Sequence, residues 1–331
     1  MSLLAANNPN LVDLGKRLDP DGKIAMIAEM LTQTNEMLLD MPWREGNLPT
    51  GTRTTIRTGL PKPTWRKLYG GVQPTKSTTA QVDETCGMLE DYAEVDKALA
   101  DLNGNTAEFR LSEDSAHIEG ISQELAYTAL YGNEGTKPES FTGFAPRLGK
   151  KSGSASSDNV IDGGGSSTGC TSIWLVVWGD NVHGIYPKGS KAGLSITDKG
   201  QVTIENADGA GGRMEAYRTH YKWDCGLSVR DWRYVVRIAN IKISTLTKDA
   251  SAGADLLDLI AQALELPPSL GNGRPAIYCS RGMKTWLRRQ QKNSKNVLIT
   301  MDQAAGQHVL AIDGVPVRRM DAISQNETAI S

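Results

Sequence analysis

Residues 106–131 read TAEFRLSEDSAHIEGISQELAYTALY, and their spacing predicts one long helix. Ala107, Leu111, Ser115, Ile118, Ile121, Leu125 and Ala129 recur at helical intervals, and Glu113, Asp114, Glu119 and Gln123 cover the remaining surface. Asn105 or Thr106 can cap the start, Glu108 suits the positive end of the helix dipole, and Gly132-Asn133 offers a left-handed stop. At about 1.5 Å per residue this is a rod of roughly 39 Å. Such a rod can back a flat plate, with strands laid against its apolar stripe. The bland alternative is an ordinary surface helix of a globular protein.

Upstream of the rod the charge is segregated. Residues 83–103 carry Asp83, Glu84, Glu90, Asp91, Glu94, Asp96 and Asp101 against Lys97 alone, and Val95, Leu99 and Leu102 suggest a short helix. Residues 46–82 reverse this, with Arg53, Arg57, Lys62, Arg66, Lys67 and Lys76 and no acid. TRTTIRT (52–58) and STTAQVDETCGML (77–89) are β-type runs separated by GLPKPTW and YGGVQPT, so 46–82 reads as two long strands of a projecting loop. A compact domain has no need of so long a polar excursion, so the loop asks for a partner. Further upstream lie a polar arm (1–10), a short helix (11–18), a turn at Asp19-Pro20-Asp21-Gly22 and an amphipathic helix through Ile24, Ile27, Ala28 and Leu31.

Downstream, EGTKPESFTGFAPRL is a turn-rich exit, and Lys150 to Gly169 is a Ser/Gly-rich loop or hinge. From Cys170 to Thr245 the chain is β-rich, and 213–243 suggests an antiparallel hairpin turning near Asp224-Cys225-Gly226. Trp174, Trp178, Trp223 and Trp232 are candidate core residues there. Residues 252–331 alternate helix and strand: AGADLLDLIAQALEL, PAIYCS, RGMKTWLRRQQKN, NVLIT, HVLAIDG and VPVRRMDAI.

The 331 residues suffice for two or three domains, and a net charge of -2 excludes a polycation. The longest strongly apolar run, Ile173 to Trp178, is too short to span a bilayer, and the start of the chain shows no secretory signal. Cys86, Cys170, Cys225 and Cys279 are far apart and read as free thiols of a reducing compartment.

Catalytic patterns fail on context. Gly165-Ser166-Ser167-Thr168-Gly169 matches a nucleophile elbow, but a flexible stretch precedes Ser167 and a strand follows it, where the motif needs strand then helix. GFAPRLGKK (143–151) misses the phosphate-loop spacing, and Lys151 stands where Ser or Thr would hold magnesium. His117, His183, His220 and His308 lack metal-ligand spacing. No catalytic, cofactor-binding or metal-binding residue is therefore assigned. Arg281, Lys284, Arg288, Arg289, Lys292 and Lys295 surround Trp286, which is either a nucleic-acid helix or a solvated face with Met283, Trp286 and Leu287 turned inward.

Taken in order, the N-terminal arm, the basic loop, VDKALADLNGNTAEFRLSED, YGNEGTKPESFTGFAPRL, PAIYCSRGMKTWL and GVPVRRMDAI resemble the major capsid proteins of tailed bacteriophages, which have the Hong Kong 97-type fold. Within that family the phrases are most similar to short-tailed phages. The resemblance spans essentially the whole chain and rests on the order of phrases, above all at 91–148. It implies an α+β fold with a spine helix, a long β-sheet, an extended loop lying over the neighbouring subunit, and an N-terminal arm. The implied division is an arm (1–45), an extended loop (46–90), a peripheral domain (91–245) and an axial domain with the C-terminal strands (246–331). The β-rich 170–245 comes before the α/β segment and Gly314-Val315-Pro316-Val317, so connectivity is expected to be permuted relative to the common order of the family.

The function implied is a non-enzymatic shell protein, assembling as pentamers and hexamers into an icosahedral head around double-stranded DNA. The implied partners are further copies of itself, packaged DNA bound non-specifically, a portal, and separate scaffolding and decorating or cementing proteins, with no membrane. The implied location is the virion, after assembly in the host cytoplasm. Arg53, Arg57, Trp65, Arg66, Lys67, Asp83, Glu84, Glu90 and Asp91 are the candidate assembly contacts, the basic loop of one copy meeting the acidic stretch of the next. The alternative function is a nucleic-acid-binding protein using 46–82 and 281–295.

Overall fold

A computed structural model describes residues 32–104, 106–205, 211–293, 299–304 and 307–331, of which 103, 293, 299–304 and 307–309 are described by backbone alone. The expected arm and helices within residues 1–31, and the side chains of Lys295 and His308, lie outside the described residues. In chain order the elements begin with α1 (Met37–Asp40), β1 (Trp43–Glu45), β2 (Gly51–Gly59), β3 (Thr78–Asp96), α2 (Lys97–Ala100), α3 (Thr106–Tyr131) and α4 (Phe144–Arg147). They continue with β4 (Val160–Asp162), β5 (Cys170–Gly179), β6 (Val182–Tyr186), β7 (Ser195–Glu205), β8 (Arg213–Val229) and β9 (Val235–Lys242). The last are α5 (Leu256–Glu265), β10 (Gly273–Cys279), α6 (Arg281–Asn293), β11 (Ile299–Ala304), β12 (Gln307–Ile312) and β13 (Val315–Arg319).

Two sheets organise these elements. The first runs β1-β6-β8-β3-β2, with β7 also paired to β8, and the second runs β11-β12-β13-β10-β5-β9-β4. In the second sheet β5 lies between β9 and β10, antiparallel to both. Its run IWLVVW is apolar throughout because both faces are covered. Trp174, Val176 and Trp178 enter the main core, while Ile173 and Leu175 enter a second core with Ile260, Met283 and Leu287 of α5 and α6. Successive strand side chains point to opposite faces, so a strand buried on both loses the usual polar alternation. Trp178 donates its indole N–H to Tyr278 (2.7 Å), which donates in turn to Asp40 (2.8 Å), so these buried polar tips are paired.

The long helix has the expected bounds, 106–131. Its buried line differs from the expected stripe. Phe109, Glu113, Ile121 and Leu125 are buried, whereas Leu111 is 70% exposed, Ile118 is 37% exposed and Ala107 and Ser115 are exposed. A row of every-fourth residues drifts by about 40° per step around a helix. The buried band therefore winds from Phe109, against Val95 and Ala100, through Ile121, against Ala93 and Tyr221, to Leu125, Ala126, Ala129 and Leu130 in the main core. The stop is also different, because neither Gly132 nor Asn133 takes a positive φ. Gly132 is needed for close approach: a Cβ there would sit 2.4 Å from the Phe141 carbonyl oxygen and 2.6 Å from that of Thr128.

The expected hairpin at 213–243 does not form. Asp224, Cys225 and Gly226 lie within β8, paired to Met88, Gly87 and Cys86 of β3, so the strand continues through them to Val229. The chain then crosses through Asp231–Tyr234 and enters the second sheet as β9. The β8 segment pairs with β3, which packs beneath the long helix. β7 carries an irregularity at Asp198/Gly200, where Gly200 takes φ +67°. Much of the acidic stretch is strand, since β3 runs to Asp96 before the short α2. The boundary expected at 245/246 cuts a sheet: β4, β5 and β9 come from before it and β10 to β13 from after it. No helix among the described residues is long and apolar enough to cross a membrane.

Candidate assembly surfaces

The antiparallel pair β2 and β3 forms the base of the projecting loop, with Arg53 opposite Asp83 and Arg57 opposite Thr79. Asn47 braces its root, accepting the Arg53 backbone N–H at 2.7 Å and donating to the Arg53 carbonyl at 2.7 Å. Beyond Gly59 the strands separate, and Leu60 to Gln81 is exposed apart from Gly70. Trp65 and Tyr69 are wholly exposed, Leu68 is 84% exposed and Leu60 is 74% exposed. Among the described residues nothing covers this apolar tip. Arg57, Arg66 and Lys67 are exposed beside it.

The acidic candidates are placed otherwise. Asp83 takes Arg53 of the facing strand in a two-pronged pair (2.5 and 2.6 Å), and that hydrogen bond holds the exposed Asp83 carboxyl below its ordinary range. Glu84 is buried, accepting the Arg147 guanidinium at 2.9 Å and the Val229 backbone N–H at 2.7 Å. Glu90 meets His220 at 3.2 Å and Lys222 at 3.4 Å, and the His220 bond leads in lowering its pKa. Asp91 bonds His117, whose ring stacks on Tyr221. The acidic stretch is thus engaged inside its own subunit. Its sequence signal was the charge run, which does not say where the partners lie: Glu84 and Arg147 are 63 positions apart and Glu90 and His220 130.

Sequence reasoning missed the most buried ionic group. Arg237 donates to Glu327 at 3.0 Å, to Ser172 Oγ at 3.1 Å and to the Leu148 carbonyl at 3.1 Å, and it lies over the Trp174 ring. Glu327 also accepts the Ser172 and Tyr131 hydroxyls, and burial followed by the Glu327 charge raises the Tyr131 pKa. The terminal segment is fastened around this group by two backbone bonds between Cys170 and Glu327, and by Asn240 to Ile330.

Among the described residues the serine motif and the thiols lack catalytic partners. Ser167 takes φ +68°, but β5 follows it, and among the described residues its hydroxyl bonds Lys242 (3.3 Å) and no histidine. Burial pushes the Cys279 thiol up to about 12, and burial with the Asp224 charge does the same for Cys86. Among the described residues no cluster could hold a metal ion. On α6, Met283 and Leu287 are buried and Trp286 is half-buried.

The family model for major capsid protein GP7 matches residues 19–331. Among solved structures, one of bacteriophage Epsilon15 is 40% identical, with 100% of this chain and 99% of that chain covered and a TM-score of 0.79. The bacteriophage JBD30 capsid is 8% identical, over 89% of this chain and 93% of that chain, with a TM-score of 0.47. An encapsulin complex from Synechococcus elongatus PCC 7942 is 12% identical, over 66% of this chain and 91% of that chain, with a TM-score of 0.43. Comparison with curated proteins gives no match. The near-complete cover at 40% identity, on two sheets with a long helix packed against one of them and an exposed loop, leaves one assignment: the chain belongs to the major capsid protein GP7 family and is a bacteriophage capsid protein with the Hong Kong 97-like fold.

Proposed function

We propose that the subunit builds its shell as pentamers and hexamers in which the loop tip of one copy is buried on the next. The supporting observation is the exposed run Leu60, Trp65, Leu68 and Tyr69, large apolar side chains that the described residues leave in water. Burying each is worth about 1.5–3 kcal/mol. Contact between unlike surfaces of identical copies closes into rings when the rotation allows, as capsomers require. Because Asp83, Glu84, Glu90 and Asp91 are engaged within the subunit, the contact is mainly apolar, with Arg57, Arg66 and Lys67 at its rim setting register. Residues 91–131 with β8 make the peripheral part, and α5 to β13 make the part nearer the symmetry axes. The chain thus visits the β-rich segment before the α/β segment, a permuted order for the family. The role is structural and not enzymatic. The shell is part of the virion, assembles in the host cytoplasm, encloses DNA without sequence preference, and works with a portal and with separate scaffolding and decorating proteins.

The test replaces 61–76 by a short Gly/Ser linker in the expressed protein. The variant is expected to be soluble and folded by circular dichroism, yet to show no shells by negative-stain electron microscopy. Intact shells from it would sink the reading of the loop.

A further inference from the structure

We propose that the outer face of α6 is a phosphate-binding surface for duplex DNA. This rests on the shell reading, since it assigns one surface of the subunit to the enclosed polyanion. Residues 266–301 contain seven of the chain's 36 Lys and Arg and no Asp or Glu, although the whole chain is slightly acidic. The helix sorts these cations by face. Met283, Leu287 and Gln290 are buried, and Gln290 fixes the helix by accepting from the Leu256 N–H and donating to the Ala254 carbonyl. At about 100° per residue, Arg281, Lys284, Arg288, Arg289 and Lys292 fall within an arc of roughly 140° on the opposite side. Arg281, Arg288, Arg289 and Lys292 are exposed and Lys284 is half-buried. The stripe from Arg281 to Lys292 is about 17 Å long, a length over which duplex DNA carries about ten charges.

Two further observations favour a polyanion over bulk water. Among the described residues none of these five cations forms a salt bridge, whereas Arg53, Arg110, Arg147, Arg218 and Arg237 all do. Arg289 sits over the Trp286 ring, its guanidinium carbon 4.0 Å from the ring centroid. That contact orders the side chain while leaving its N–H edge free for a phosphate oxygen. A cationic stripe along a helix face fits contact with the phosphate backbone, which positions the duplex without reading its sequence.

The test compares the full-length protein with the triple variant Arg288→Gln/Arg289→Gln/Lys292→Gln. Each is titrated against a fluorescent 20-base-pair duplex over a salt series, and each is imaged for shells. Each phosphate contact adds about 0.9 to the salt slope, so the variant is expected to lose roughly two to three units of slope and to bind at least tenfold more weakly. Shells should form in both, and a Lys62→Gln/Arg66→Gln/Lys67→Gln control should keep the wild-type slope. Equal slopes for wild type and the α6 variant, or no duplex binding by wild type, would overturn the assignment while leaving the shell reading intact. Loss of shells with unchanged DNA binding would overturn it too, and would assign the face to an acidic surface of a neighbouring subunit.

Discussion

Removing the Glu327 carboxylate should be among the most damaging single changes in the subunit. Glu327→Ala leaves the Arg237 guanidinium, whose side chain is only 5% exposed, without its counter-ion. It also strips the Tyr131 and Ser172 hydroxyls of their shared acceptor. Breaking a buried pair from one side costs about 3–5 kcal/mol, because the remaining charge stays desolvated. Arg237 keeps the Leu148 carbonyl and Ser172 Oγ, so the lower half of that range is expected. With an m-value of about 3 kcal/mol per molar urea, the unfolding midpoint should fall by about 1 M. The assay is urea denaturation followed by tryptophan fluorescence, in the loop-replaced background so that assembly does not mask unfolding. Replacing both partners, Arg237→Met with Glu327→Leu, should recover much of the loss, since a buried pair often exchanges for apolar groups at little cost. A Glu327→Ala midpoint within about 0.2 M of the parent would refute the reasoning. So would a double variant as unstable as the two single losses added together.

Ile121→Asp places a carboxylate between Ala93 and Tyr221, where Ile121 is 4% exposed, and should cost several kcal/mol and leave the protein insoluble or unassembled. The mutant Leu111→Asp, on the exposed side of the same helix, should assemble normally, and sedimentation of the two lysates checks both. Burial, with the Arg230 and Arg44 charges, lowers His183 to about 4, so the folded state holds it neutral. Its contribution is therefore complete above the unfolded value near 6.5 and is lost as pH falls toward 4, by an amount on the order of 3 kcal/mol. His183→Gln should flatten the decline in urea midpoint across that window, and an unchanged slope would show that other groups cause it.

The long helix, the strand pair of the loop and the alternation of α5, β10 and α6 were legible because each is a local pattern of period or composition. The winding of the buried band on α3 was not, because periodicity names a face only for a straight stripe, and here the sheet beneath selects Phe109 over Leu111. The continuation of β8 through Gly226 was hidden for a related reason. Asp224-Cys225-Gly226 has turn composition, but pairing with Cys86, Gly87 and Met88 overrides it. The resemblance supplied the shell function from the order of phrases, and the exposed loop tip was implicit in Leu60, Trp65 and Leu68. The partners of the acidic residues were not legible in the charge run, because a run of carboxylates looks the same whether its cations sit on another subunit or on the next strand. Arg237 and Glu327 left no trace at all, being 90 positions apart and single members of unremarkable phrases.

The path of the chain between the two sheets also bears on when a subunit can join a lattice. β5 acquires its neighbours only when β9 and β10 have been made, and its first residue waits for Glu327 to bridge Cys170. Near the other end, Asn35 waits for Met320. At about 5–20 residues per second, the interval between synthesis of Cys170 and of Glu327 is roughly 8–30 s. Throughout it a nascent chain carries open strand edges beside its largest aromatic side chains, a state that favours chaperone capture over capsomer entry. Closure of β5 by Glu327 therefore ties entry into the lattice to residues made long after the strand they fasten.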